Sequence, residues 1–492
     1  MAKARIVARD LIATALREGY QLSEDALICL EQSLTPLEDL RKAIDHIRKR
    51  NLDVIVIEAG HILEVSSQKL DVTPPPHPEV ETPPHIHRFS IENVVADDTR
   101  IEGTLEEFQR YFHSRYIRLR RLLERRGVGF IPVAEAARLK DGEEAYMAVM
   151  VMNRVETSKS VMLECDDLTG DITVVASFRD EELVRNISSI LLDQVVGIRV
   201  RRVGQTFILQ EVFQPDVESG RNVPRLNMPE TYACLISDTH IGSKKFVSET
   251  FQNFLDWLNR GRDGVAKRVR YLIIDGDLVD GVGVYPGQEK ELDIRDVEEQ
   301  FRAAAQLLRD VPPHIQILYC PGNHEPVRRA IPQPPIQERY RRILSSARTM
   351  NFATNPFTAI IEDRRFLVYH GQSLDEIIQS LPDASYSTLE KDVGRVLTTV
   401  IKARHLAPIY GENTQILPLQ EDCLVIDTLP DLLHTGHIHR AASISYHGVN
   451  LVNSGAWQEQ TEYQKLLGVE PSIGTALLVE LSSMNTFIRF FG

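Results

Sequence analysis

Five short apolar runs each break off into a cluster of Asp, Asn, His and Gly, and this recurrence constrains the chain more than any other feature. The clusters are Ile236-Ser237-Asp238-Thr239-His240, Asp275-Gly276-Asp277-Leu278-Val279-Asp280, Pro321-Gly322-Asn323-His324-Glu325, Tyr369-His370-Gly371 and Thr435-Gly436-His437-Ile438-His439. The apolar runs of strand length in this half are Tyr232–Ser237, Val269–Ile274, Ile315–Tyr319, Ala359–Ile361 with Phe366–Tyr369, Cys423–Asp427 and Asp431–Thr435, and the clusters follow five of them. Helical segments stand between most of them, so residues 228–492 read as α/β with buried sheets. Ligand-bearing residues belong at the ends of such strands. In extended backbone, residues i and i+2 share a side, which pairs Asp238 with His240 and His437 with His439. Glycines ahead of Asp277, Asn323 and His437 allow the sharp turns that bring ligands inward. Imidazole, carboxylate and amide oxygen together suit two divalent ions, with Mn²⁺ the best match and Fe, Zn²⁺ or Mg²⁺ the other fits. A bridging carboxylate holds such a pair roughly 3.5–4 Å apart.

Upstream, the chain changes character several times. Residues 1–70 read as a small helical interaction module: Ser23 is a candidate N-cap for Glu24–Ser33, and Thr35-Pro36 starts a helix carrying Leu37, Leu40, Ile44 and Ile47 at helical spacing. Residues 71–95 form a linker rich in proline (Pro74, Pro75, Pro76, Pro78, Pro83, Pro84), with His77, His85 and His87 as solvated side chains. Residues 96–227 hold a helix and a barrel. The helix, Thr104 to Arg126, places Leu105, Phe108, Phe112, Tyr116, Leu119, Leu122 and Leu123 at helical spacing. It also carries Arg115, Arg118, Arg120, Arg121, Arg125 and Arg126, either a solvated face or a phosphate-contacting one. Five strands follow, with a helical insert near Arg179–Ser188 and a hairpin turn at Asp167–Asp171 in which Gly170 supplies positive φ. That pattern suits an OB-fold barrel. The stretch is poor in the aromatic platforms that single-strand binders need, so a structural or subunit-docking barrel is at least as good a reading. The C-terminal MNTFIRFF, residues 484–491, reads as an edge strand; its Phe490-Phe491 also faintly suggests a sliding-clamp peptide.

Composition bounds the rest. Among 492 residues, 43% are hydrophobic and 26% charged, which are globular values. No apolar run has the length of a membrane span, and the N-terminus lacks a signal-peptide pattern, so the expectation is a cytoplasmic protein without membrane contact. The five cysteines are scattered and form no CxxC pair. A net charge of −14 argues against a generic nucleic-acid coat protein but not against a nuclease, because bound metals invert the local field.

The order DxH, GDxxD, GNH[DE], H, GHxH resembles the calcineurin-like metallophosphoesterase superfamily. Carried over residue by residue, the resemblance implies that Asp238, His240 and His439 bind one metal. It implies that Asn323, His370 and His437 bind the other, that Asp277 bridges, and that His324 sits beside the scissile phosphate. On this basis Asp277 and His324 are the catalytic candidates. Glu325 stands where Asp is more frequent. Residues 276–288 (GDLVDGVGVYPGQ), 321–335 (PGNHEPVRRAIPQPP) and 454–465 (SGAWQEQTEYQK) further resemble the small subunits of archaeal D-family DNA polymerases. The implied architecture is α/β (α+β multidomain): a calcineurin-like β-sandwich flanked by helices, preceded by an OB-fold barrel and a small helical N-terminal module. The implied activity is 3′→5′ proofreading hydrolysis of DNA, and the implied partners are a catalytic large subunit, DNA with a 3′ end and a sliding clamp. Lys244, Lys245, Arg328 and Arg329 flank the motifs and are candidates for strand-backbone contacts. Two alternatives stand beside this. One is a silent scaffold for a polymerase subunit. The other is a stand-alone phosphomonoesterase or cyclic-nucleotide phosphodiesterase, which the long N-terminal half argues against.

Overall fold

The computed structural model describes residues 11–23, 26–27, 30, 36–49, 56–57, 62, 88–96, 99–261 and 263–492. The chain divides into two compact units, Met1–Pro84 and His85–Gly492.

In the first unit, β1 (Gln21–Leu22) pairs in parallel with β2 (Val56–Ile57), and α1 (Pro36–Lys49) lies between them in sequence. Pro36 opens α1, where a missing N–H costs nothing. Leu40, Ala43, Ile44 and Ile47 of α1 are buried with Leu11, Ala15, Leu30 and Ile57, whereas Leu37 is exposed. Ser23 does cap: its hydroxyl accepts the Ala26 N–H at 3.1 Å. Most of the helix expected over 24–33, and nearly all of the proline-rich stretch with His77, His85 and His87, lie outside the described residues.

The second unit opens with β3 (Phe89–Asn93), α2 (Leu105–Glu124) and α3 (Val133–Ala136). A closed barrel follows: β4 (Glu144–Glu156), β5 (Ser160–Asp167), β6 (Gly170–Ser177), α4 (Glu181–Ser188), β7 (Val195–Val203) and β8 (Thr206–Phe213). Its strand order, β4-β5-β6-β8-β7, with a helix between the third and fourth strands, is that of a five-stranded Greek-key barrel of the OB type. The β5–β6 turn departs from expectation. Gly170 is not left-handed. Instead Asp167 Oδ1 accepts the N–H groups of Thr169 at 2.7 Å and Gly170 at 3.2 Å, an Asx turn that removes the need for positive φ.

The remaining strands are β9 (Tyr232–Ile236), β10 (Val269–Asp275), β11 (Gln316–Cys320), β12 (Met350–Phe352), β13 (Phe357–Ile361), β14 (Arg364–Val368), β15 (Leu432–Thr435), β16 (Ala442–Tyr446), β17 (Val449–Asn453), β18 (Thr475–Glu480) and β19 (Thr486–Phe490). The helices among them are α5 (Ser248–Arg260), α6 (Val297–Leu308), α7 (Glu338–Ala347), α8 (Leu374–Ser380), α9 (Leu389–Ala403) and α10 (Glu462–Leu467). They build two six-stranded sheets, β12-β11-β10-β9-β18-β19 and β16-β17-β15-β14-β13-β3. Alternate residues of the first sheet (Ala233, Leu235, Tyr271, Ile273, Leu318) pack on Phe357, Ala359, Phe366, Val368 and Leu432 of the second, giving a shared core between the sheets. The outer face of the first sheet is covered by α5, α6 and α7, and that of the second by α8 and α9.

Three segments differ from their sequence reading. Phe89–Asn93, inside the stretch read as linker, pairs antiparallel with β13 and forms the edge of the second sheet. Cys423–Asp427, read as a strand, is a turn with one isolated bridge, Val425 to His405. Its apolar residues are buried on two sides, Leu424 and Ile426 in one cluster and Val425 in another, and that burial mimics a core strand. The basic helix departs from its reading in part: Arg115 turns inward, Arg118 and Arg120 are half-buried, and Arg121, Arg125 and Arg126 stay exposed. Arg115 is fully buried and its Nε donates to Asp422 at 2.7 Å, where Tyr111 (2.7 Å) and His405 (2.9 Å) also converge. Arg118 Nε donates to Asp427 at 2.9 Å and Arg120 pairs with Glu124 at 3.0 Å. Helix α2 therefore joins barrel to sandwich: its Leu119, Leu122 and Leu123 pack on Ala148, Met150 and Val195 of the barrel.

Candidate metal centre and its relatives

All five clusters meet at one edge of the sandwich, at the C-terminal ends of β9, β10 and β11 in one sheet and β14 and β15 in the other. The β9–β10–β11 and β14–β15 ladders are parallel, so the chain exits each of these strands at the same edge. Five of the seven candidate ligands are not extended. Asp238, His240, Asp277, His437 and His439 all have φ between 50° and 67°, the left-handed region that non-glycine residues avoid at a cost of about 1 kcal/mol or more each. The i, i+2 pairs thus converge through tight left-handed turns rather than through a pleat. The glycines serve close approach: a Cβ on Gly322 would lie 2.6 Å from His370 Nε2, and one on Gly436 would lie 2.7 Å from Asp238 Oδ2.

Two donor sets result. In one, His439 Nε2 is 3.2 Å from Asp238 Oδ1 and 3.1 Å from His240 Nε2. In the other, Asn323 Oδ1 is 3.1 Å from His370 Nε2 and 3.0 Å from His437 Nδ1. Asp277 Oδ2 stands between them, 3.2 Å from His370 Nε2 and 3.9 Å from the Nε2 atoms of both His240 and His324. Donors held at about 2.0–2.2 Å from one ion lie roughly 3 Å from each other, so this donor set and spacing fit two divalent cations. Three groupings of Asp and His, Asp238–His240–His439, His240–Asp277–His324 and Asp277–His370–His437, are each close enough to share an ion.

Outer residues set the tautomers. His240 Nδ1 donates to Asp280 Oδ1 at 3.0 Å and His370 Nδ1 donates to the Asp275 carbonyl at 2.8 Å, which turns each Nε2 lone pair inward. His437 Nε2 meets Asp375 Oδ2 at 2.9 Å, leaving Nδ1 as its inward atom. His324 Nδ1 donates to the Asp280 carbonyl at 2.7 Å, so its Nε2 is free to exchange a proton with a bound molecule. Glu325 contacts no donor directly. Its carboxylate accepts the N–H groups of Gly322 (2.7 Å), Asp277 (3.0 Å) and Leu278 (2.7 Å) and the Tyr319 hydroxyl (2.8 Å), pinning two ligand loops together. Asp280, Asp375, Asp275 and Gln464, which meets His439 Nδ1 at 2.8 Å, complete this layer. Sequence reasoning assigned none of them a role, although Asp275 and Asp280 bound the second cluster and Gln464 lies in the 454–465 motif.

Electrostatics follow from packing buried carboxylates together. Burial opposes ionisation of Asp238, yet the His439 charge outweighs it and brings the carboxyl down to about 2. Burial disfavours the His240 cation, but its bond to Asp280 and the charge of Asp277 push it up to about 9. Burial dominates at Asp275 and Glu325, which rise to about 7. The cluster demands positive charge, supplied by protons on histidines or by metal ions.

The four flanking cations are engaged elsewhere. Lys244 Nζ donates to the Lys290 carbonyl at 2.8 Å, Lys245 to Glu459 at 3.3 Å, and Arg329 to the Val284 carbonyl at 3.2 Å. Arg328 donates to the carbonyls of Pro332 (3.1 Å) and Thr99 (2.9 Å). None of them lines the cleft over the metal residues.

Residues 233–443 match the family model of the B subunits of DNA polymerases alpha and epsilon. The chain is 34% identical over 482 residues to the DNA polymerase II small subunit of Methanothermobacter thermautotrophicus, covering 94% of this chain and 96% of that one. The chain belongs to the family of archaeal DNA polymerase II small subunits. Its similarity to the small subunit of Archaeoglobus fulgidus is 35%, over 81% of this chain and 80% of that one. To that of Pyrococcus horikoshii it is 34%, over 88% and 68%. Among the described residues no helix is long and apolar enough to cross a membrane.

Proposed function

We propose that this chain is the 3′→5′ exonuclease subunit of a D-family DNA polymerase, and that it hydrolyses DNA phosphodiester bonds with two divalent ions while a large catalytic subunit polymerises. The observation that carries the reading is the convergence, in one cleft, of the inward donor atoms of Asp238, His240, Asp277, Asn323, His370, His437 and His439. Asp238, His240 and His439 would hold one ion, Asn323, His370 and His437 the other, with Asp277 shared. Such a pair, when bound, supplies charge stabilisation at the phosphate and a water of lowered pKa. The chain's own part is to hold those donors rigidly. His324 Nε2 faces the cleft to neutralise charge on the phosphate or hand a proton to the leaving 3′-oxygen. Burial lowers its basicity and the Asp277 charge opposes that shift.

The experiment reconstitutes this chain with its large subunit. Asp238→Ala and His324→Ala pairs should lose trimming of a mismatched 3′ end and keep nucleotide incorporation. Lost incorporation with intact trimming would reverse the assignment. The match to the polymerase alpha and epsilon family also supports a second reading, a silent scaffold, and measured metal content separates the two: a silent site need not retain two ions.

A further inference from the structure

We propose that the walls of the metal cleft form a stacking pocket for one unpaired nucleobase, that of the 3′-terminal nucleotide, with the rings of Tyr285 and Tyr463 as its faces. The inference rests on the reading that the cleft cuts a DNA phosphodiester. The cleft has a volume of about 500 Å³ above the metal residues, room for a nucleotide but not for a duplex end. Among the described residues no Lys or Arg lines it. A channel that followed a run of phosphates would be lined by cations. This one offers charge only at its floor, and the position of one phosphate is all that floor can serve.

The walls are aromatic and apolar instead. Tyr285 stands beside His324, ring centroids 6.4 Å apart, with its hydroxyl donated to Glu291 at 3.0 Å. Tyr386 stands behind the other donor set, its hydroxyl donating to Asp375 at 2.7 Å, and Tyr463 is its neighbour. The ring of Tyr463 belongs to a residue 64% exposed, yet its backbone is fixed, because α10 is capped by Thr461 and the next residue, Gln464, is tied to His439. Leu467 and Val469 continue the wall, and Gln379 and Asn413 add amides that can both donate and accept. Flat rings and amides of this kind hold any base without reading its identity. The barrel is poor in such platforms, so the stacking function falls to the cleft. A paired terminus would have to unstack before entering, so unpaired ends are the preferred substrate.

The test compares single-stranded oligonucleotides that are identical except for the terminal residue, either a nucleotide or an abasic tetrahydrofuran. Stacking of one base is worth roughly five- to hundredfold. The full chain in manganese should show a kcat/KM about tenfold or more higher for the base-bearing end. Tyr463→Ala and Tyr285→Ala should bring that ratio towards one, and Tyr463→Phe should keep it. The same ratio, read as binding by fluorescence anisotropy in EDTA, does not depend on cutting. Equal handling of both ends by the wild type, or a ratio unchanged in both alanine variants, overturns the pocket. A binding ratio that persists while no strand is cut upholds the pocket and removes the exonuclease reading.

Discussion

Asp277 and His324 sit 3.9 Å apart at the centre of the cleft, yet their substitutions should have separable consequences. Asp277 falls within reach of both donor sets, so Asp277→Ala should lose both metal ions in elemental analysis. His324→Ala should retain both and lose hydrolysis by about a hundredfold or more, the usual worth of a positioned acid or base. Two ions retained in Asp277→Ala would remove the bridging assignment. Gly322→Ala makes a steric case: a methyl group 2.2 Å from Asp277 Oδ1 and 2.6 Å from His370 Nε2 should displace those side chains and lower metal content although no donor atom is replaced. These residues were legible because each sits in a short local pattern that ends a strand. The roles of Asp375, Gln464 and Asp275 were not, because each meets a histidine far away in sequence, although Asp275 and Gln464 lie inside marked segments. The i, i+2 argument pairs residues that do converge, but through the wrong backbone: the clusters turn left-handed, which a pleat-based argument does not foresee.

Helix α2 and the edge strand β19 carry the predictions about elements. Arg115 and Asp422 form a fully buried pair, so Arg115→Ala leaves an uncompensated carboxylate and should cost about 3–5 kcal/mol in denaturant unfolding. The neighbouring His405 is neutral: its Nδ1 accepts the Ala407 N–H at 3.0 Å while Nε2 donates to Asp422. Burial, with the Arg115 charge beside it, holds it down to about 4 from its ordinary 6.5. Between those values the unfolded chain binds a proton that the folded chain does not. The stability is therefore complete above pH 6.5 and is lost as pH falls towards 4, by about 3 kcal/mol at most. His405→Gln should flatten that acid limb, and a limb of undiminished slope would show that another group causes it. For β19, Phe487 packs edge-on against Tyr232 and Phe491 packs against Trp257. Deleting residues 487–492 should lower Tm by several degrees, and unchanged Tm with lost clamp binding would favour the clamp-peptide reading. That Arg115 faces inward was hidden from the sequence, since Asp422 lies 307 residues away. Nothing local distinguishes a buried arginine on an amphipathic helix from a solvated one.

At the scale of the whole molecule, the fold places all five ligand clusters on one edge of a two-sheet sandwich, with the barrel and α2 packed to its side. The barrel strands, and the alternation of strands and helices after them, were readable from changes in periodicity. The joining of β3 to the second sheet was not, because a five-residue strand after a proline-rich run carries little signal. The central claim is that this edge hydrolyses DNA from the 3′ end. Its most direct test is digestion of single-stranded DNA, labelled at either end, by the purified full chain in manganese, alongside His324→Ala. The account predicts that the 3′ label is released at once as mononucleotide while the 5′-labelled strand shortens stepwise, and that His324→Ala does neither. Stepwise loss from the 5′ end, or no cleavage by a wild-type chain that holds two ions, would contradict it.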